Sequence, residues 1–369
     1  MDYLAEEDQK EPELTSRSGY EVKDIVRSFL QTLGEPGPIA SGKLLHYTAD
    51  LIASGGLLLY ERLCYEYALD HIGIASPRIF YYLQNKFKEL RTSATTHELG
   101  VFCTLPVVQH ATAEIVLILQ GCPKKAKPKY PTIPSETHEN EEWLRSVLRT
   151  TDKAAVRKVY QRSTDLEPML HAGNELVFAI VEGATERALF WAKWLQEEDQ
   201  LTRKRYQSGL STAERGPPSL KTQAQKTAMG YYLIAVLAEL YKEFSQKGMV
   251  RLHQEFQALL DLYRSTDSRN TQKRKQDLMA LMIQILVDMP RMKVPAAPTL
   301  VQDPATLERM VQQAPNFYRE VLYHPMPTKL LPVTVTGLKK KKQKEATKED
   351  KLHQQLALMD QMAMSFYKM

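Results

Sequence analysis

Apolar residues recur every three or four positions along most of this 369-residue chain, which is the spacing of one face of an α-helix. The first such stripe consists of Val22, Ile25, Val26, Phe29, Leu30 and Leu33. Glycine is scarce, with 16 residues in 369, and no run of residues is convincing as a series of strands. The sequence therefore predicts an all-α fold in which a helical bundle is followed by a second helical domain and a basic tail.

Polar residues and prolines mark the predicted helix boundaries. Ser18 with Glu21 has the spacing of a capping box, so a first helix is predicted to begin at Ser18. Further candidate N-caps are Ser41, Ser76 before Pro77, Asn174, and Asp303 before Pro304. In the first bundle the apolar stripes predict a buried set consisting of Phe29, Leu45, Leu63, Phe80, Leu83, Ile115 and Leu119.

The composition of the chain changes at several points, which predicts its domain organisation. Residues 123–140 hold four prolines and four lysines and are expected to form a stiff linker. The predicted regions are an acidic N-terminal tail at 1–17, a helical domain at 18–122, the Pro/Lys linker at 123–140, a second helical domain at 141–290, a Pro-rich irregular segment at 291–337, and a basic tether with a C-terminal amphipathic helix at 338–369.

The motifs that usually carry catalysis are absent or incomplete. Residues 37–44 match the phosphate-loop pattern except at the last position, where Leu44 lacks the hydroxyl that binds magnesium, so a turn between helices is expected. Cys64, Cys103 and Cys122 are widely spaced and are expected to be buried as small apolar residues. The histidines form no ligand pattern. The sequence thus predicts a protein that is not an enzyme, with no catalytic residue, no metal site and no cofactor.

Two local clusters of positive charge are candidate nucleic-acid sites, although the net charge of +5 is modest. The first cluster is Lys124, Lys125, Lys127 and Lys129 beside Tyr130, and the second is Arg203, Lys204 and Arg205 beside Tyr206. In each cluster the cations could bind phosphates while the aromatic ring stacks on a base. The alternative is that both are ordinary solvated loops.

The last thirty residues contain a short heptad pattern. Its seam consists of Leu352, Leu356, Met359, Ala363 and Phe366. Because Leu352, Leu356, Met359 and Phe366 form an adaptable apolar face behind a lysine-rich tether, they are candidate partner-docking residues. The alternative is that this helix packs on the chain's own second domain.

The N-terminal sequence bears on localisation. The first fourteen residues are strongly acidic, unlike a secretory signal, and no apolar run approaches the roughly 18 residues that span a bilayer. We expect an intracellular protein of the nucleus or cytoplasm, without a membrane partner.

Residues 20–130 resemble the C-terminal helical region of the replication-associated recombination protein A family, the MgsA and Werner-helicase-interacting AAA+ proteins related to clamp loaders. YEVKDIVRSFLQTL resembles the first collar helix of that family, and LLHYTADLIASGG is similar to the next helix with its terminal glycine pair. The phrase from Asp70 to Pro77 is similar to the family's acidic residue followed by Ile-Gly-Leu-Ala-Asp-Pro. LPVVQHATAEIVLILQGCPKKAKPKY resembles the last helix and its Pro-Lys exit.

This resemblance implies a collar-like helical fold, formation of homo-oligomers and a role at stalled or gapped DNA. Nineteen residues precede Tyr20, and they hold none of the motifs of the family's ATPase module, so no motor activity is expected. The implied function is a non-enzymatic accessory protein of DNA replication or repair. Single-stranded or forked DNA and clamp-loader or polymerase components are its candidate partners. The alternative is a helical scaffold protein with no nucleic-acid role.

Overall fold

The computed structural model describes residues 14–266, 271–291, 299–327 and 329–331, all of which belong to one compact unit. Sixteen α-helices make up most of these residues. No strand occurs among them beyond two isolated bridges, Thr15 to Glu21 and Asp165 to Ser211. The predicted all-α fold is confirmed.

The first eight helices differ widely in length. They are α1 (Val22–Leu33), α2 (Pro38–Ala53), α3 (Leu57–Tyr67), α4 (Arg78–Thr96), α5 (Leu99–Phe102), α6 (Pro106–Gly121), α7 (Glu141–Val147) and α8 (Ala154–Arg157). A π-helical turn (Ala68–Ile72) and a 3₁₀ turn (Gly73–Ala75) join α3 to α4. Gly73 has a φ of 47°, which permits the corner between these two turns.

The other eight helices follow α8 along the chain. They are α9 (Glu167–Glu182), α10 (Thr185–Tyr206), α11 (Gln223–Lys226), α12 (Met229–Gln246), α13 (His253–Arg264), α14 (Gln272–Asp288), α15 (Pro304–Val311) and α16 (Ala314–Leu322). Gly183, with a φ of 83°, ends α9 in the left-handed conformation and lets α10 fold back against it.

Helix α2 is the centre of the first group of helices, where it packs against α1, α6 and α16. Its N-terminal end meets the C-terminal end of α6, because the Ser41 hydroxyl donates a hydrogen bond of 2.8 Å to the Gln120 side chain. The buried set predicted from the apolar stripes is confirmed, since each member is at most 2% exposed: Phe29, Leu45, Leu63, Phe80, Leu83, Ile115 and Leu119.

Four of the predicted helix caps are wrong. Ser76 precedes the N-cap of α4, which is Pro77, and no side-chain hydrogen bond caps this helix. Ser18 forms no capping box, because its backbone N–H is held by the Asp50 carboxylate at 3.0 Å and the helix begins only at Val22. Ser41 lies inside α2, which begins at Pro38. Asn174 lies in the middle of α9, where its side chain bonds the backbone of Lys153 and Thr151 at 3.0 and 2.8 Å. For Ser18 and Asn174, a long-range partner has replaced the local capping contact.

The Pro-rich segment contains two short helices, although it was predicted to be irregular apart from a start at Asp303. That start is confirmed, because the Asp303 side chain accepts a hydrogen bond of 3.1 Å from the backbone N–H of Thr306. Helix α16 packs against α2 and α6, and its buried Tyr318 hydroxyl lies 2.8 Å from that of Thr112. Residues far along the sequence thereby complete the core of the first helical group.

The two predicted helical domains pack against each other within this compact unit. Helix α4 contacts α13, and α14 contacts the turns at Ala68–Ile72 and Gly73–Ala75. The division of the chain into domains stays a prediction. None of the helices within the described ranges is long and apolar enough to cross a bilayer.

All three cysteines are buried, which confirms the expectation that they pack as small apolar residues. Burial raises the pKa of the Cys64 and Cys122 thiols and raises that of Cys103 to about 11. Since the thiolate is the reactive form, we expect almost no reaction of the native protein with Ellman's reagent at neutral pH. The same protein in guanidinium chloride should release dye from all three thiols. Rapid labelling of any thiol in the native protein would contradict the burial.

Candidate nucleic-acid interface

The first part of the linker lies against the helices instead of projecting into solvent. The backbone N–H of Lys125 donates to the His71 carbonyl at 2.7 Å, and the Tyr130 hydroxyl donates to the Gln276 carbonyl at 3.0 Å. Further along, the Lys193 ammonium donates to the Pro131 carbonyl at 2.8 Å. The linker is therefore fastened both to the start of α14 and to α10.

Lys124 and Lys125 have partners within the chain. The Lys124 ammonium donates to the carbonyls of Leu119 and Gln120 at the end of α6, and it lies 5.1 Å from the centre of the Tyr67 ring. Desolvation in this position lowers its pKa. Lys125 forms a longer ion pair of 3.6 Å with Asp288 and keeps a side chain that is 46% exposed.

Lys127 connects three parts of the chain. Its ammonium lies 2.5 Å from Asp70 and 2.8 Å from Asp277. Burial lowers its pKa, but hydrogen bonds to Asp277 and Asp70 outweigh that effect and raise the pKa overall. Lys127 therefore acts mainly as an internal clamp. Lys129 differs, because it is exposed and has no ion-pair partner among the described residues.

Helix α14 adds cations to the linker cluster. Thr271 caps this helix through the backbone N–H of Arg274 at 3.3 Å, and Lys273, Arg274 and Lys275 follow in its first turn. Cations are unfavourable at a helix N-terminus, where the helix dipole is positive. Lys275 is stabilised by the Tyr231 hydroxyl at 3.1 Å, whereas Lys273 is exposed with no ion-pair partner in the described ranges.

We call this combined surface the basic face, and define it as Lys125, Lys127, Lys129, Lys273, Arg274 and Lys275. Sequence reasoning missed its α14 half. The available signal was the run of three cations at the start of a predicted helix, which runs against the dipole preference. What the sequence could not indicate was the linker contact at Gln276 that places the two runs side by side.

Two of the three cations in the second predicted cluster also have partners within the chain. Arg203 pairs with Asp199 at 2.8 Å and donates to the Thr227 carbonyl at 2.9 Å. Arg205 pairs with Glu139 at 2.5 Å. Lys204 has no ion-pair partner in the described part of the chain, and the neighbouring Tyr206 is 66% exposed.

The structure does not join the two clusters into one surface. The linker contacts α10 at Lys193 and again at Arg205, and these twelve residues of helix correspond to about 18 Å. Acidic side chains occupy the interval: Glu136, Glu139, Glu197 and Glu198. His138 lies between two of them, 2.8 Å from Glu198 and 3.4 Å from Glu197. A phosphate chain running between the clusters would meet this negative charge.

The buried carboxylates serve to hold loops in place. Glu175 accepts hydrogen bonds from the backbone N–H groups of Arg149 and Thr150 at 2.5 and 2.9 Å. Asp199 accepts one from Leu210 at 2.9 Å, in addition to its pair with Arg203. These contacts give the buried acids a structural role. No three His, Cys, Asp or Glu side chains in the described ranges are grouped so that they could hold a metal ion.

The phosphate-loop-like residues fold as the beginning of a helix. Gly37 is the N-cap of α2 and Pro38 its first residue, so most of the pattern is helical. A cavity of about 300 Å³ lies between this point, the end of α6 and α15. Its lining includes Ser41 and Gln120, which bond each other, and does not include Lys43. The site therefore lacks the amide-lined loop and lysine that hold a nucleotide.

The predicted partner-docking residues Leu352, Leu356, Met359 and Phe366 lie outside the described residues. Their role stays a prediction.

Comparison with family models, with curated proteins and with solved structures found no match to this chain. The resemblance of residues 20–130 to a clamp-loader collar accordingly stays a prediction.

Proposed function

We propose that this chain is a non-enzymatic accessory protein that binds DNA through the basic face. The observation that carries the proposal is the hydrogen bond between Tyr130 and Gln276, which sets the linker lysines beside the cations of α14. Lys129 and Lys273 are the exposed members that no carboxylate of the described residues neutralises. They are the residues that we expect to contact phosphates.

The charge balance of the basic face supports this proposal. In the described part of the chain Lys125 pairs with Asp288 and Lys127 pairs with Asp70 and Asp277, whereas Lys129 and Lys273 have no carboxylate partner and leave an excess of positive charge. The positive end of the α14 dipole adds to the excess, because backbone N–H groups at a helix N-terminus attract anions. A bound phosphate would also relieve the unfavourable placement of cations at that end of the helix.

The cellular setting is proposed from the sequence resemblance alone. It places the protein in DNA replication or repair, with clamp-loader or polymerase components and further copies of itself as partners. The basic face is compatible with such a role, because a phosphate-binding surface holds a protein on DNA without reading its sequence.

A second candidate function is a helical scaffold that binds proteins and no nucleic acid. It is favoured by the internal partners of five of the seven predicted nucleic-acid contacts: Lys124, Lys125, Lys127, Arg203 and Arg205. It is also favoured by apolar side chains exposed after α16, where Tyr323 is 91%, Leu330 58% and Met326 47% exposed. Exposed apolar groups of this kind are typical of protein interfaces.

Charge reversal at the exposed lysines separates these functions. Lys129→Glu and Lys273→Glu should each weaken DNA binding and reduce the slope of log K against log salt by about 1, because each removes one phosphate contact. Fluorescence anisotropy of labelled DNA titrated with protein at several salt concentrations measures both quantities. Because neither side chain has an ion-pair partner among the described residues, the melting temperature should hardly change.

Lys247→Glu is the matched control. Lys247 is exposed at the end of α12, sixteen residues or about 24 Å along that helix from Tyr231, which contacts Lys275. This variant makes the same change in net charge and should bind DNA as the unaltered protein does. Equal losses in all three variants would point to net charge alone. No binding by the unaltered protein at about 50 mM salt would remove the DNA-binding proposal in favour of the scaffold.

A further inference from the structure

The aromatic rings around the basic face are closed to an incoming base. Four tyrosines there are between 2% and 4% exposed: Tyr65, Tyr67, Tyr231 and Tyr263. The fifth, Tyr130, was predicted to stack on a base, but it is only partly exposed and its hydroxyl is bonded to the carbonyl of Gln276. A base therefore finds no freely exposed ring among these five.

Cations of the protein itself also cover the rings. The Arg274 guanidinium lies 4.6 Å from the centre of the Tyr65 ring, and Lys124 lies 5.1 Å from that of Tyr67. Lys275 lies 5.2 Å from the Tyr231 ring and 5.6 Å from that of Tyr263. Each of these four rings thus has an internal cation–π partner where a nucleotide base would otherwise stack.

These two observations bear on which form of DNA the basic face can hold. Proteins that bind single strands without sequence preference combine a basic groove with aromatic side chains on which the bases stack. The basic face has the charge without the open rings. Duplex DNA keeps its bases stacked on one another and presents one phosphate charge per about 1.7 Å of helix axis, so it needs charge alone.

We infer that the basic face binds the phosphate backbone of duplex DNA, without base stacking and in preference to a single strand. This inference rests on the proposed function and narrows it, since the sequence had pointed to single-stranded or forked DNA. The duplex part of a fork is the part that this surface fits. The exposed contacts are Lys129 and Lys273, with Lys125 at the edge through its half-exposed side chain.

Tyr206 makes it possible to test whether a base stacks on the second cluster. It is 66% exposed at the end of α10, beside Lys204, and it belongs to the second cluster, which an acidic stretch separates from the basic face. If single-strand stacking occurs anywhere on the predicted clusters, Tyr206 is the ring on which a base can stack. Tyr206→Ala removes that ring and no charge.

The test compares a duplex with a single strand of equal length and composition, using the full chain and anisotropy at low salt. We expect the duplex to bind more tightly, with a salt slope of about −0.9 for each phosphate contacted, which for two or three contacts is about −2 to −3. Replacing alternate bases of the single strand by abasic sites should leave its weaker affinity for the Tyr206→Ala variant unchanged. Tyr206→Ala should bind the duplex as the unaltered protein does.

Two results would overturn the inference while leaving DNA binding in place. One is a single strand that binds as tightly as the duplex or more tightly. The other is a single-strand affinity that falls with abasic sites in the Tyr206→Ala variant, because bases would then stack on the basic face and not on Tyr206. Failure of the proposed function has a different signature, namely no binding of either DNA at low salt.

Discussion

Replacing Arg215 with methionine is expected to destabilise the protein by about 3 to 5 kcal/mol, because it leaves a buried carboxylate without its cation. Arg215 lies 2.5 Å from Asp165, whose side chain is fully buried, and Arg215 itself is only 13% exposed. Its guanidinium also donates to the Val159 carbonyl at 3.1 Å. Urea denaturation followed by circular dichroism measures the loss as a fall in the free energy of unfolding.

Two further variants test whether the lost stability comes from the buried charge. Adding Asp165→Asn to Arg215→Met should recover part of the lost stability, because the second substitution removes the uncompensated charge. The effects of substitutions at two residues in contact on the free energy of unfolding are not additive. Arg157→Met is the surface control: its pair with Asp152 is 2.9 Å long, but the side chains are 69% and 60% exposed. That variant should cost less than about 1 kcal/mol. Similar losses for both arginines would show that burial does not set the energy of these pairs.

Phe80→Ala should cost about 3 to 5 kcal/mol, because it removes a fully buried ring from α4 and leaves a cavity. Phe29→Ala in α1 is expected to have the same effect for the same reason. The free energy of unfolding from urea titration is again the measurement. Agreement between circular dichroism and tryptophan fluorescence shows whether unfolding is two-state.

Tyr323→Ala is the control for the phenylalanine variants. It also truncates an aromatic side chain, but Tyr323 is 91% exposed, so its loss should change stability by no more than about 0.5 kcal/mol. A loss below about 1 kcal/mol for Phe80→Ala would mean that α4 does not present this residue to the core.

The helices could be predicted from the sequence because the pattern that indicates a helix is local. The stripe in α1 predicted most of the buried residues, and Phe29 and Leu33 are both 0% exposed, whereas Leu30 is only half-buried. The start of α15 at Asp303 was equally local, since a cap and its N–H lie three residues apart. Ser18 and Asn174 failed as caps because Asp50 and the 151–153 loop satisfy these groups from more than twenty residues away.

Only part of the candidate site could be predicted from the sequence. Charge runs are visible in a sequence, so the lysines of the linker and the cations of α10 were found. Whether a cation is available to a ligand depends on its neighbours in space. Lys127 is neutralised by Asp277, 150 residues away, whereas Lys129, two positions later, has no ion-pair partner among the described residues. Such a difference has no local signature, because both residues lie in the same Pro-Lys context.

The sequence by itself determined the all-α class and the faces that the helices bury, since helical spacing acts within a few turns of one segment. Only the tertiary structure decided that the linker is fastened to α14, that α16 completes the first helical group, and that tyrosine rings at the basic face are covered by cations. The physical reason is that these contacts join residues dozens to hundreds of positions apart. Their geometry is fixed by how the buried faces fit together.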